Sequence, residues 1–528
     1  MKSLAILASA VATTGLWFGQ SALAQPAPEA LGKVHFDTSC TPEAAAAFDR
    51  GMLYQHSFWY RASQRSFEAA LKADPSCGIA YWGVALSLLW NPHGVPPAKN
   101  LTEGAAAIAK GKEAGATTER ERDYLTALSA MYTDYEKVDH RTRVLNYLKA
   151  MEQLAAKYPN DDEAQILYAI ALNVGASPSD KTYANQLKGA AILEKIWDRQ
   201  PDHPGISHYL IHLYDTPALA EKGLTAARRY AKVAPDAPHA LHMPSHIFTR
   251  VGYWQESIDS NAHSARVAGA DHEGTDQLHA MDYEVYAYLQ LGQDARAKAV
   301  IDDMMTVKGF SETFSAGPYA LAASPARYVV EHGDWRGAAA LEVRPTEHPY
   351  VAAITWFARA LGAARSGDTA LAEMAIAQLV TLRDVLREKK DAYWAEQVDI
   401  QAEVAGAWLL LATGRKDEAL AKMSAAADAE DKTEKHPVTP GALAPARELY
   451  GAMLLEQGKA ADALAAFEAT LRKEPNRLNA FLGAAAAASA AGDSAKARQY
   501  AGAAAQQASD ASVERADVIK ARALAAAK

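Results

Sequence analysis

The stretch GAMLLEQGKAADALAAFEATLRKEP, residues 451–475, decides the fold. It sets glycine at 451 and 458, a small residue at Ala463, an aromatic at Phe467 and a proline at Pro475. Gly458 permits a tight turn between two antiparallel helices. Ala463, five places on, lets the second helix approach the first, and Pro475 stops that helix before the next unit begins. The same marks stand far upstream as Gly51, Tyr54, Phe67, Ala70 and Pro75. Gly458 recurs 34 residues on as Gly492 with Ala497; Gly333/Ala338 and Gly367/Ala372 are 34 apart, as are Pro201 and Pro235. Gly252 with Ser257, Gly292 with Ala297 and Gly414 with Ala419 extend the series at less regular intervals. One hairpin cannot bury its apolar face alone, so such units stack into a solenoid with a concave groove.

The bulk properties agree. A chain of 528 residues exceeds one ordinary core. Alanine is abundant and strand-type alternation almost absent, so an all-α protein is expected. The start, MKSLAILASAVATTGLWFGQSALA, joins Lys2 to an apolar run and small residues at Ala22 and Ala24. It reads as a signal peptide over 1–24 with cleavage before Gln25, and hence as export to a periplasm or the exterior. No later stretch is long and apolar enough for a membrane span. The formal charge of −9, without basic tracts, argues against nucleic acid and anionic membrane surfaces. The two cysteines, Cys40 and Cys77, are either a disulfide or two buried thiols; their spacing does not choose.

In these glycines, Phe67, Phe467 and the closing prolines, the chain resembles the tetratricopeptide repeat (TPR) family. The resemblance implies a right-handed superhelical α-solenoid, with a protein or peptide partner in its concave groove. It suggests N-terminal repeats over 25–94, irregular helical repeats over 95–200, histidine-rich repeats over 201–310 and further repeats over 311–426. A loop over 427–441, charged and then Pro/Gly-containing, is expected to be exposed, with C-terminal repeats and a cap over 442–528. Stacked repeats would also bring Cys40, just before a helix start, against Cys77 at the start of the next repeat. A disulfide there would stabilise by about 3–4 kcal/mol in the loop-closure model.

Nine of the sixteen histidines fall between His203 and His279. Two pairs, His208/His212 and His242/His246, have the i,i+4 spacing that puts both rings on one helix face. In the TPR family the second, fifth and ninth positions of each first helix line the groove. Counting from Pro204 and Pro238 places His208 and His212, then His239, His242 and His246, at such positions. Counting back from Gly292 places His279, Asp282 and Tyr286 there. Packed helices lie about 8–10 Å apart, so two facing pairs can converge on one ion. An imidazole-rich site favours zinc, copper, nickel or iron over calcium or magnesium. The bland alternative is that these rings hydrogen-bond backbone and tyrosines such as Tyr209, Tyr214 and Tyr283. Pro244, inside the second pair, either kinks that helix or marks its true start, in which case His242 leaves the face.

Other candidates weigh less. His56 and His93 are lone histidines, and Phe58, Trp59, Tyr60, Tyr81, Trp82 and Trp90 are core or pocket aromatics. Asp215 and Arg250 either orient histidines or form a surface ion pair. There is no HExxH, phosphate-cradling glycine loop or G-x-S-x-G. Two function classes remain. The first is an exported binding protein whose groove holds a partner, peptide or transition metal. The second is a metal-dependent enzyme with Asp282 or Tyr286 as acid–base groups. A closed four-histidine site argues for storage, and three ligands with an open position for catalysis.

Overall fold

The computed structural model describes residues 29–511 and 515–527, so the expected signal segment 1–24 lies outside it. Twenty-six helices follow one another, and no strand occurs among the described residues. They pair as antiparallel hairpins, from Pro42–His56 with Tyr60–Ala73 to Leu478–Ala490 with Ser494–Gln507, and Ala516–Ala526 closes the end. The result is an all-α, TPR-like solenoid.

The two quoted repeats are packed alike. A Cβ on Gly51 would stand 2.6 Å from the Phe67 ring, and one on Gly83 2.4 Å from it. The same hypothetical atoms on Gly451 and Gly483 would come within 3.1 and 2.3 Å of Phe467. Each phenylalanine of a second helix is thus gripped between the first helices of two successive repeats. Both rings are buried, which stabilises by roughly 1.5–3 kcal/mol each. The turn glycines adopt left-handed backbone, as at Gly458 with φ 75°, and Ala463 five places on is fully buried.

Cys40 and Cys77 form a disulfide with Cα atoms 5.0 Å apart. Cys40 precedes Thr41, the N-cap of Pro42–His56, and Cys77 is the N-cap of Gly78–Leu88. Stacking brings these helix starts together, as the repeat reading implied.

The array also winds back on itself. Helix Pro42–His56 touches Pro204–Tyr214, four hairpins along the superhelix. Near the other end, Trp254 Nε1 donates to the Asn476 carbonyl (2.8 Å) and Asn476 Nδ2 donates to the Gly252 carbonyl (3.2 Å).

The loop at 427–441 departs from expectation. Residues 427–431 belong to helix Lys416–Asp431, and Thr433 and residues 438–441 are buried rather than exposed. Pro437, Pro440 and Gly441 keep this segment out of a helix, so its backbone needs partners elsewhere. First helices of other repeats supply them. The Tyr283 hydroxyl lies 2.8 Å from the Pro437 carbonyl, Arg327 donates to the Ala442 carbonyl (2.7 Å), and Tyr393 donates to that of Glu434 (2.9 Å). Lys181 donates to the Thr433 carbonyl (3.0 Å). The face expected to receive a peptide is therefore covered, along these repeats, by the chain's own residues 433–442. Among the described residues no helix is long and apolar enough to cross a membrane.

Candidate metal centre

Three successive first helices carry the histidines. Helix Pro204–Tyr214 holds His208 and His212, with intervening Leu210 and Ile211 buried in the stack. The next first helix is broken by Pro244 into Pro238–His242 and Pro244–Arg250. Met243 between them keeps helical angles, φ −53° and ψ −35°, so the face does not turn. His242 and His246 stay side by side, with Nε2 atoms 3.0 Å apart. His279 comes from Gly274–Gln290. Pro244 interrupts the helix without moving His242.

The rings assemble as two triads. Ligand-capable atoms of His208, His212 and His239 lie within 4.8 Å of one another, and so do those of His242, His246 and His279. The triads adjoin, with the His212 and His246 ring centres 6.0 Å apart. His208, His212, His242 and His246 are buried, whereas His239 and His279 are partly exposed toward a cavity.

Hydrogen bonds fix which nitrogen faces inward. Asn261 is oriented because its Nδ2 donates to the Ser257 carbonyl (2.7 Å), so Oδ1 accepts from His242 Nδ1–H (2.7 Å). His246 Nδ1–H donates to the Asp215 carboxylate (2.9 Å). In neutral imidazoles both Nε2 atoms then carry bare lone pairs that face each other at 3.0 Å. In the other triad His208 Nδ1–H donates to the His56 carbonyl (2.6 Å), and its Nε2 faces His212 Nε2 at 3.1 Å. Buried atoms without a partner surround them: His212 Nδ1, His239 Nε2, His279 Nδ1 and His93 Nε2. The His93 and His212 ring centres are 4.7 Å apart.

Burial keeps the rings neutral. It lowers His208 and His279 to about 3 and pulls His212, His239 and His242 well below the ordinary histidine range. It lowers His246 too, although Asp215 opposes it. Asp215 is desolvated, which alone would raise its pKa, yet Lys435 and Arg250 hold it below the usual carboxylate range. Arg250 donates to Asp215 at 2.8 Å and Lys435 at 3.1 Å, so Asp215 and Arg250 form a buried pair that orients His246 rather than a surface one.

The expected acid–base groups are elsewhere. Asp282 is fully buried, accepts from Ser324 Oγ (2.8 Å), and is pushed up by burial to about 6 against the pull of Arg327. Tyr286 packs on Trp254, and its hydroxyl lies 3.2 Å from Arg477 Nη1. Neither lines the cavity beside the histidines. Both occupy groove-type positions, but Tyr286 lines a separate cavity with Tyr393, Thr439 and Glu474, and Asp282 is enclosed against Ser324. Tyr283 takes the place expected of them, with its ring 4.8 Å from that of His242 and its hydroxyl 3.4 Å from His246 Nδ1.

A third cluster, His56, Glu163 and His203, is complete as hydrogen bonds alone. Gly205 N–H donates to His203 Nδ1 (3.1 Å), so His203 Nε2–H donates to Glu163 (2.8 Å). His56 Nε2 meets the other Glu163 oxygen at 3.0 Å and its Nδ1 meets the Tyr209 hydroxyl at 3.0 Å. The contrast with the triads is chemical: here every inward nitrogen has a partner that answers it.

Comparison with protein-family models finds none that matches, and comparison with curated proteins finds none either. Among solved structures the chain is similar to the crystal structure of the yeast Tom70, at 13% identity over 91% of this chain and 94% of that chain. The TM-score is 0.28, too low to carry an argument, and the fold rests on the helices themselves.

Proposed function

We propose that this chain is an exported metalloprotein whose two histidine triads hold transition-metal ions inside the wall of a helical-repeat array. The observation that carries the reading is the His242/His246 pair: two Nε2 lone pairs face each other at 3.0 Å, each ring locked from behind by Asn261 or Asp215. Such an arrangement is repulsive unless a cation accepts both lone pairs. Two nitrogens about 2.0–2.1 Å from one ion, at roughly 90–109°, stand about 2.9–3.4 Å apart. Ring N–H groups tied to a carboxylate, an amide oxygen and a backbone carbonyl are also what metal-ligating histidines ordinarily show.

All-imidazole donors suit copper, zinc, nickel or iron, and the affinity order among divalent ions favours copper. Grouping in threes beside a cavity, rather than as one closed set of four, supports an ion with a position open to a small molecule. That favours the metal-dependent enzyme over a storage role. A protein partner remains in keeping with the repeat architecture, on surfaces other than the face covered by residues 433–442. Export is supported by the disulfide, which uses both cysteines and suits an oxidising compartment.

Elemental analysis after dialysis against copper or zinc tests the reading. Wild type should retain up to two ions per chain. His212→Ala combined with His246→Ala should retain none while keeping its helical circular dichroism. His263→Ala, at an exposed histidine outside the triads, should match wild type. A wild-type chain that retains no ion overturns the proposal.

A further inference from the structure

The cavity beside the triads has walls that the metal reading does not explain. Its volume is about 140 Å³, and Phe58, Tyr60, Trp90 and Phe314 line it together with His212, His239 and His279. Phe58 and Trp90 both hold left-handed backbone, φ 54° and 55°. For bulky side chains this costs on the order of 1–3 kcal/mol each, and such outliers persist only where the surroundings impose them. Here the two strained residues present aromatic rings to one space. Phe58 stacks on His239 with ring centres 5.2 Å apart and on His212 at 5.6 Å, while Trp90 meets Phe314 edge-on at 6.1 Å. At the inner end lie partnerless buried nitrogens, His239 Nε2, His279 Nδ1 and His93 Nε2.

Resting on the metal reading above, we propose that this cavity is the subsite for a flat hydroxyaromatic molecule, a phenol or catechol, whose oxygen reaches an ion held by the triads. Size, walls and polarity agree on that class. A cavity of about 150 Å³ accommodates one benzene ring. Aromatic walls favour offset or edge-to-face contact with another ring. Arg61, Glu273, Thr275 and Asp276 also line it, but the end against the triads is a cluster of histidine nitrogens, where a bound ion selects an anionic oxygen. A flexible aliphatic ligand would bury apolar surface there but forgo the ring–ring contacts that the walls offer.

The probe is 4-nitrocatechol, whose visible absorption shifts when its oxygens ligate a metal. It is titrated into the full chain loaded with zinc or copper, with elemental analysis confirming the load and tryptophan fluorescence read in parallel. Loaded wild type should bind it with a shifted band and quenched fluorescence. Phe58→Gly and Trp90→Gly each remove a ring while suiting the left-handed backbone, so both should fold, keep their metal and bind the probe at least tenfold more weakly. A loaded wild type that leaves the probe's spectrum unchanged overturns the subsite. So does binding that both glycine variants leave intact. A chain that takes up no metal overturns the earlier reading instead, and elemental analysis registers that failure separately.

Discussion

Asn261→Leu separates the orientation of a histidine from the rest of the fold. Asn261 is fully buried and accepts from His242 Nδ1–H at 2.7 Å. Without that acceptor the favoured neutral tautomer of His242 places its proton on Nε2, aimed at His246 Nε2 3.0 Å away. The facing lone pairs become a hydrogen bond worth about 0.5–1.5 kcal/mol net, which an incoming ion must break. Loss of an orienting partner behind a ligand typically lowers metal affinity by about 10–100-fold, or about 1.4–2.7 kcal/mol. The metal-free chain loses the Asn261 bonds to the Ser257 carbonyl and the Ser245 hydroxyl. Stranding such buried groups costs about 1–3 kcal/mol, which the new histidine pair partly offsets. The variant should therefore be only modestly destabilised without metal, yet bind metal far more weakly. Chelator competition gives the affinity, and ¹⁵N NMR of the imidazoles reports the tautomer directly. Affinity within threefold of wild type, with His242 still protonated at Nδ1, would refute the reasoning.

Replacing Cys40 and Cys77 by serine should lower stability by about 4 kcal/mol from loop-closure entropy, read as an earlier denaturation midpoint that reductant reproduces in wild type. Gly483→Ala would drive a Cβ to 2.3 Å from the Phe467 ring. Overpacking of that kind costs about 1–3 kcal/mol and should lower the melting temperature without touching metal content. Burial pushes Glu284 up to about 7, so its favourable protonated state holds at low pH and is lost as pH rises through 7. Glu284→Gln should therefore stabilise relative to wild type by up to about 3 kcal/mol at pH 8–9, and the gain should shrink to about 1 kcal/mol near pH 5 and vanish below about pH 4 in parallel melts.

The hairpins were readable because their causes are local. A glycine that must turn, a small residue that must be approached and a phenylalanine gripped by Gly51 and Gly83 each leave a mark at fixed spacing. The two i,i+4 histidine pairs and the alignment of His239 and His279 were readable for the same reason. What was missed depends on winding summed over many repeats. His93 and Phe58 come from the first two hairpins, yet they meet His212 because the superhelix returns Pro42–His56 to Pro204–Tyr214. No spacing in the sequence encodes that rotation. Asn261 lies on the second helix of its hairpin, outside the positions that line a groove, and reaches His242 from behind. The segment 427–441 reads as a solvent loop because its composition is that of one. Its polar backbone is instead answered by Tyr283, Arg327 and Tyr393 on the repeat face.

The most direct measurement is anomalous diffraction from crystals grown with copper or zinc, collected above and below the absorption edge of the metal. The account predicts an anomalous peak within about 2.0–2.1 Å of both His242 Nε2 and His246 Nε2, with His279 as third ligand, and a second peak at His208, His212 and His239. Metal confined to surface histidines such as His263, with the His242 and His246 nitrogens still facing each other and no peak between them, would contradict it.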